Sequence, residues 1–421
     1  MAAGTSTDVR ASQIQAIHKA APKLFALEDG PVNKIMKGGA EKVTVSGLAM
    51  RLPYEIRPGG LYGAFDPAGG TLGAGNNFLL GEATSSPIAR KLGVEMQKAQ
   101  IWDTDDPEKA FINALKKGTK DASMMLADCM NREFMTDGDC ILCTVSAGET
   151  TTTLTVDTTR LLRVGLAVSS YSNNMATKRA ENTLVTKIIS QTQFMVETAF
   201  TAQSSTDRIT IEQPSTAPAN PVGLFGPRYF ITSNSALYWH DVLRSDVPGL
   251  VSPYVDGSGN ALTPAMARLL MNKLKIHRGE NVFQNSRYSF LFPLAQAQAW
   301  EDLGINISEI SGNGNFSNQG VDRLFNEKKS TVGGLPIDTS IVANPARVDL
   351  IDYADWFRAE KKPIGLYDVD GTTIFEGRDG DGNVKTTQNF WLTFIGQLHV
   401  SDPGRHAYID DLAKPSASYG T

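Results

Sequence analysis

Apolar and polar positions along this chain follow two different periods, and the changes of period mark out its elements. Between Asp105 and Gly138, Phe111, Leu115, Gly118, Ala122, Met125, Cys129 and Arg132 recur at alternating steps of four and three. All but the last are apolar or small, which predicts one unbroken helix with a single covered stripe. Asp106 is placed to cap its start, Pro107 suits the first helical position, and Glu108 complements the positive end of the dipole. Gly138 is a natural stop. Lys117 with Asp121, and Asp128 with Arg132, are expected as opposite-charge pairs on the wetter side. From Pro107 to Met135 the rise would be about 43 Å. Gly118 and the polar residues break the stripe too often for a zipper, so the helix reads as a girder.

A period of two takes over on both sides of it. Ile88, Leu92, Val94 and Met96 alternate with Lys91, Glu95 and Gln97, as a strand requires. Six β-type runs then follow between Cys140 and Gln213: ILCTV, TTTLTV, LLRVGLAV, LVTKII, QFMVE and RITIE. They predict a small barrel or sandwich inserted as a unit, and PSTAPANPVG, with prolines at 214, 218 and 221, reads as the linker out of it. Further on, Thr263 and Pro264 open a helix with Met266, Leu269, Leu270 and Leu274 as its stripe. YSFLFPLAQAQAWEDLG predicts a buried strand and then a helix ending near Gly304. SGNGNFSNQG reads as a loop, and a strand runs from Ile337 to Val342. IGLYDV and GTTIFE flank Asp370-Gly371, a hairpin signal. FWLTFIGQLHV closes as a long strand, with Phe390, Leu392, Phe394, Gly396 and Leu398 on one face and an earlier strand as its partner.

Two stretches break either period. Residues 1 to about 50 hold at most a short helix interrupted at Pro22. From Arg57 to Asn77, glycines crowd around Tyr62 and Phe65, which predicts an extended loop that packs no regular element of its own.

Length and composition narrow the class. A chain of 421 residues suggests two or three folded units, and 41% apolar with 20% charged residues can bury a core. The net charge of −5 argues against a strongly basic nucleic-acid grip. The first residues carry no apolar signal segment, and no run reaches the roughly 20 apolar residues of a membrane helix. Three cysteines are an odd number, which fits a reducing compartment better than a disulfide framework.

Candidate chemistry is thin. Cys140-x-x-Cys143 lies in a β run without two further ligands, so buried apolar thiols are expected. DGDGN at Asp379–Asn383 lacks the later glycine and glutamate of a calcium loop and reads as a polar hairpin turn. Gly73-x-Gly75 and Gly312-x-Gly314 are not continued to a phosphate-binding pattern. His18, His240, His277, His399 and His406 are spaced too widely for a readable cluster. Arg160, Arg163, Lys178 and Arg179 read as a solvated face. No catalytic, cofactor or metal site is therefore expected.

The order of polar arm, glycine-rich loop, girder helix, β insert, mixed block and long β return resembles the major capsid protein of tailed bacteriophages, of the Hong Kong 97 type. RPGGLYGAFDPAGGTLGAGNNF with PIARKLGVEMQKAQIW is similar to the arm and extended loop of that family, and Asp105–Gly138 to its spine helix. GLFGPRYFITSNSALYWHDVLRSDV and LTPAMARLLMNKLKIHRGEN resemble the axial domain, and the stretch from Gly320 to Gly371 resembles the return to the peripheral domain. The resemblance implies an α+β capsid fold with an inserted all-β domain. It divides the chain into an arm (1–55), extended loop (56–104), spine helix (105–139), insert (140–213), axial domain (214–345) and peripheral return (346–421). It also implies a structural protein, not an enzyme, that self-assembles through pentamers and hexamers into an icosahedral head. Its partners would be copies of itself, portal, scaffold or decoration proteins, and packaged double-stranded DNA held without sequence preference, with no membrane. Its place would be the virion, with the host cytoplasm during assembly. Arg57, Tyr62, Phe65, Arg90, Lys91, Lys98 and Trp102 are then the candidate subunit-interface residues. Some relatives cross-link this loop through a lysine, but no motif around Lys91 or Lys98 supports that chemistry. An encapsulin-like compartment shell shares the same fold and is the second reading; a β-rich hydrolase with a dispersed site is the third.

Overall fold

The computed structural model describes residues 31–37, 41–44, 50–57, 59–60, 62, 77–97, 107–147, 151–200, 203–213, 222–279, 281–282, 285, 287–310, 331–368, 372–378 and 384–415. The expected arm and loops at 1–30, 63–76 and 311–330 lie outside them. Strands outnumber helices, and the class is α+β. The chain forms two units: Ala89–Asp128 with Lys362–Ile395, and Gly30–Ile88 with Cys129–Lys361 and Gly396–Thr421.

The long helix runs from Pro107 to Phe134, 28 residues, and Gly138 stops the chain beyond it in left-handed backbone at φ +81°. Its buried stripe differs from the expected one. Ala122, Leu126, Met130 and Phe134 are buried, while Met125, Cys129 and Arg132 are only half covered. Steps of four dominate, so the stripe lies beside the one predicted from alternating steps. Asp128 is buried, not on the wet side, and Arg132 donates to the carbonyls of Arg160 and Leu162 at 3.1 and 2.8 Å.

In the first unit the expected strand forms as Ile88–Gln97, with Leu92, Val94 and Met96 half covered and Lys91 and Glu95 exposed. It pairs with Val384–Val400, the long closing strand, along which Phe390, Leu392 and Phe394 are buried in alternation. Gly118 of the helix faces Phe390, and a Cβ there would meet the ring at 3.4 Å, an ordinary contact. The hairpin expected at Asp370-Gly371 does not form by direct pairing. The sheet order places Val384–Val400 between Trp356–Leu366 and Phe375–Arg378, so the two runs flank the long strand rather than each other. Its 17 residues offer each run a longer ladder and ring contacts, such as Phe375 on Trp391 at 5.3 Å. The hairpin that does form joins Phe375–Arg378 to the long strand, with Arg378 opposite Val384. It brackets Asp379–Asn383, the expected polar turn, whose own residues lie outside the description.

The second unit holds the six strands expected between Cys140 and Gln213. They lie in the order Ile141–Thr144, Arg208–Ile211, Ala167–Tyr171, Lys178–Ser190, Gln193–Val196 and Thr153–Thr155. An antiparallel bridge from Val145 to Val156 joins the two outer strands, so the sheet closes into a barrel. Leu154, Val168, Val185, Phe194 and Ile209 fill it. One strand is shorter than LLRVGLAV suggests, because Gly165 turns at φ +82° and pairing starts only at Ala167. Entry and exit meet, with Gly223 donating its N–H to the Gly138 carbonyl at 2.8 Å.

A second six-stranded sheet in this unit has the order Tyr254–Asp256, Ala407–Asp410, Val348–Asp352, Tyr288–Pro293, Leu335–Ser340 and Thr331–Val332. Strands from both sides of residue 345 therefore share one sheet, and the expected division at 345/346 passes through it. The helix Pro264–Arg278 covers it. Thr263 caps that helix by accepting the Met266 N–H, and Gly279 ends it at φ +71°. Its buried stripe is Ala267, Leu270, Met271 and Leu274, whereas the expected Leu269 is 46% exposed. The buried strand Tyr288–Pro293 leads into a helix that continues past Gly304 to Ile310. One glycine in mid-helix costs only about 1 kcal/mol and does not stop it.

Candidate functional site

The expected interface residues start from a two-stranded antiparallel ribbon in the second unit, Met50–Arg57 against Leu79–Ser85. Its strands alternate. Leu52, Ala83 and Ser85 are buried, while Arg51 and Glu82 sit outside as an ion pair at 3.2 Å. Toward its free end the covering stops. Ile56, Phe78, Leu79 and Leu80 are exposed, Phe78 by 62% and Leu80 by 58%. Of the predicted residues, Tyr62 is fully exposed and Arg57 ends the first ribbon strand. Arg90 and Lys91 lie on the Ile88–Gln97 strand, Arg90 half covered and Lys91 exposed. Phe65, Lys98 and Trp102 lie outside the described residues.

The root of the ribbon is held by a turn that sequence reasoning did not single out. Tyr238–Trp239 and Val242–Leu243 form a two-residue hairpin whose loop is His240-Asp241, with His240 at φ +56°. Tyr54 of the ribbon meets the Trp239 ring edge-on at 5.5 Å. Thr84 donates its N–H to the Asp241 carboxylate at 2.8 Å. Burial, then the Asp241 and Asp246 carboxylates, raise the Tyr54 phenol above its ordinary range. Gly81, across from Tyr54, leaves space for its ring, since a Cβ there would fall 2.4 Å from it.

Beneath that turn two histidines meet, against the expectation that the histidines stay apart. His240 Nε2 and His399 Nδ1 are 3.4 Å apart although 159 residues separate them in the chain. The aromatic rings of Phe225, Tyr229 and Trp239 pack on His240, and Phe357 stacks on His399 at 5.3 Å. Burial lowers His240 to about 4, with Asp241 opposing the shift and Arg244 adding to it. Burial and then His240 lower His399 well below the usual histidine range. The pairing depends on a strand of one sheet reaching a turn of another, which no local spacing reveals. His406 has a separate role: its Nδ1 accepts the Asp352 N–H at 3.2 Å and its Nε2 lies 3.4 Å from Asp355.

The other candidates are structural in their contacts. Cys140 and Cys143 are free and buried, and burial raises the Cys143 thiol well above its ordinary value. Of the basic residues expected on a solvated face, Arg179 is exposed, Arg163 and Lys178 are half covered, and Arg160 is drawn in. Arg160 donates to the Val342 carbonyl at 2.6 Å and is lowered to about 10 by burial first. Lys178 donates to the Gln213 carbonyl at 2.9 Å, and Arg179 pairs with Asp207 at 3.3 Å. Arg160 and Lys178 are thus held by backbone carbonyls, while Arg179 stays exposed beside Asp207. A cleft of about 570 Å³ beside Arg160 is lined by Asp157, Thr159, Thr192, Asn344 and Lys414 among others. Among the described residues that line it there is no histidine, cysteine or serine. Among the described residues no three histidine, cysteine or acidic side chains gather to hold a metal. Among the same residues, no helix is long and apolar enough to cross a membrane.

No protein-family model and no curated protein sequence matches the chain. Among solved structures, it is similar to a chain of the Cyanophage A-1(L) capsid asymmetric unit, with a TM-score of 0.54 at 14% identity, covering 95% of this chain and 99% of that one. It is also similar to a chain of the capsid of the native GTA particle, with a TM-score of 0.48 at 10% identity and 96% and 99% covered. A third is from the capsid of Cyanophage P-SCSP1u, with a TM-score of 0.45 at 10% identity and 94% and 91% covered. The first likeness shows that the chain shares the fold of that capsid chain over 95% of its length.

Proposed function

We propose that this chain is the major capsid protein of a tailed bacteriophage, a structural subunit and not an enzyme, built on the Hong Kong 97 plan. The single observation that carries the reading is the shared fold with the Cyanophage A-1(L) capsid chain over nearly the whole of both. Copies would assemble through pentamers and hexamers into an icosahedral shell around double-stranded DNA, with portal, scaffold or decoration proteins as further partners. The helix Pro107–Phe134 would be the spine. The segment 56–104 would be the extended loop lying over a neighbouring subunit; the axial domain of 214–345 would take in the strands Val348–Asp352 and Ala407–Asp410 that share its sheet, and the rest of 346–421 would be the return to the peripheral domain. The barrel would be an insert between spine and axial domain.

The exposed end of the ribbon supports the loop assignment. Ile56, Phe78, Leu79 and Leu80 place large apolar side chains in water on a two-stranded ribbon that cannot cover them itself. A neighbouring subunit would remove that surface from water, at about 25 cal/mol for each Å² covered. The double change Phe78→Ser and Leu80→Ser tests this. Sedimentation velocity should show the variant folded, with an unchanged melting temperature, but shifted from large assemblies toward free subunits. Assemblies of unchanged size and salt stability would remove the ribbon from the interface.

A further inference from the structure

The ribbon's root and the histidine pair share one short turn, and that places a titratable pair directly beneath the ribbon's holds. Trp239, His240 and Asp241 are consecutive. The first packs on Tyr54, the second meets His399, and the third accepts the Thr84 N–H. Whatever moves His240 therefore moves both holds on the ribbon. We propose that the His240–His399 pair is a proton-operated latch: with both rings neutral the turn grips the ribbon, and protonation of the pair lets it go. The inference concerns a single subunit and does not rest on the shell reading.

The geometry favours the neutral pair. With Nε2 and Nδ1 at 3.4 Å, one ring donates and the other accepts only while at least one facing nitrogen is bare. The outward nitrogens, His240 Nδ1 and His399 Nε2, are buried with no hydrogen-bond partner among the described residues; the neutral pair leaves one of them protonated, and charging the pair adds a second buried proton with no acceptor. Of the charged and titratable groups around His240, the Asp241 carboxylate favours a charge and the Arg244 guanidinium opposes it. The Tyr229 hydroxyl is taken up by the His240 backbone N–H at 2.8 Å. His399 faces His240 together with the rings of Phe225 and Phe357, which offer no hydrogen-bond acceptor. Asp246 acts on Tyr54, the ribbon side of the contact. A proton gained by His240 also draws on the neighbouring Asp241, the carboxylate that holds Thr84.

The direction with pH follows. Both histidines are lowered from the usual 6.5, so above that value they are neutral in the latched and the released state alike. As pH falls from 6.5 toward about 4, the released state takes up protons that the latched state refuses. The latch is thus fully present above pH 6.5 and is lost on acidification, the released fraction rising about tenfold per pH unit for each histidine.

Hydrogen–deuterium exchange of the full chain, held where it sediments as one species, reads this out. Peptides covering 50–57 and 79–85 are compared at pH 7.5 and 4.5 after correction for the intrinsic rate, with the strand Tyr288–Pro293 as internal reference. The expected result is a gain of at least about tenfold in ribbon exchange at the lower pH, with the reference strand unchanged. His240→Asn, which keeps a residue suited to positive φ, combined with His399→Phe should bring the ratio close to one. Asp241→Asn, which keeps an acceptor oxygen, should leave the acid response in place. Equal ribbon exchange at both pH values in the unaltered chain would overturn the proposal. So would an equal rise in the reference strand, which is unfolding of the whole unit, or an acid response abolished by Asp241→Asn alone.

Discussion

At the scale of single residues, the fold depends most on places where backbone or charge is enclosed. A Cβ on Gly226 would lie 1.6 Å from the Phe134 carbonyl oxygen at the end of the long helix. Gly226→Ala should therefore cost more than about 3 kcal/mol in chemical denaturation, beyond ordinary overpacking. Gly118→Ala is the contrast. Its Cβ would make an ordinary contact with Phe390 at 3.4 Å, and the better helix propensity should stabilise by about 0.5–1 kcal/mol. Arg347 is enclosed as well. It donates to Asp349 at 2.7 Å and to the Ile231 carbonyl at 2.6 Å, with its guanidinium over the Tyr408 ring. Arg347→Met leaves Asp349 buried without its cation and should cost about 3–5 kcal/mol at neutral pH. Burial already raises the Asp349 carboxyl, with Arg347 opposing. Without that opposition the native state favours the protonated acid more strongly. The deficit of the variant should then shrink as pH falls, which denaturation at pH 7 and pH 5 would show. Little of this was legible in the sequence. Gly226 gives no local signal of what lies against it, and Asp128 reads as a wet-face residue until the element that covers it is known.

Elements were far more legible, because the forces that start and stop them act between near neighbours. Thr263 and Pro264 stand at the cap and first position that the sequence places there, and Gly279 ends the helix right after Arg278. Thr263→Ala removes the acceptor of the Met266 N–H and should lower stability by about 1 kcal/mol, seen as a shift in melting temperature with the helix content retained. Alternation likewise fixes the inward face of barrel strands such as Gln193–Val196, where Phe194 and Val196 are buried and their neighbours are not. What local pattern does not fix is which strand a strand chooses. Asp370-Gly371 promises a hairpin, yet the long closing strand takes the place between the two runs. His240 and His399 were unreadable for the same reason: their meeting is decided by where a turn and a strand end after the sheets have formed.

At the scale of the whole molecule, the order of elements carried more than any motif. A glycine-rich loop, a 28-residue helix and a β insert in that order pointed to a shell subunit before any contact was known. No catalytic signature competed with it. The ribbon shows why the single chain looks unfinished: its root is gripped by Trp239 and Asp241, while its end leaves Phe78 and Leu80 in water. In the proposed shell a neighbouring subunit would cover that surface. Electron microscopy of the purified full-length chain is the direct test. Closed shells, or rings of five and six subunits, are the predicted result, with the ribbon seated on the adjacent subunit. A monodisperse monomer that persists at high concentration, and with a scaffold protein added, would contradict it.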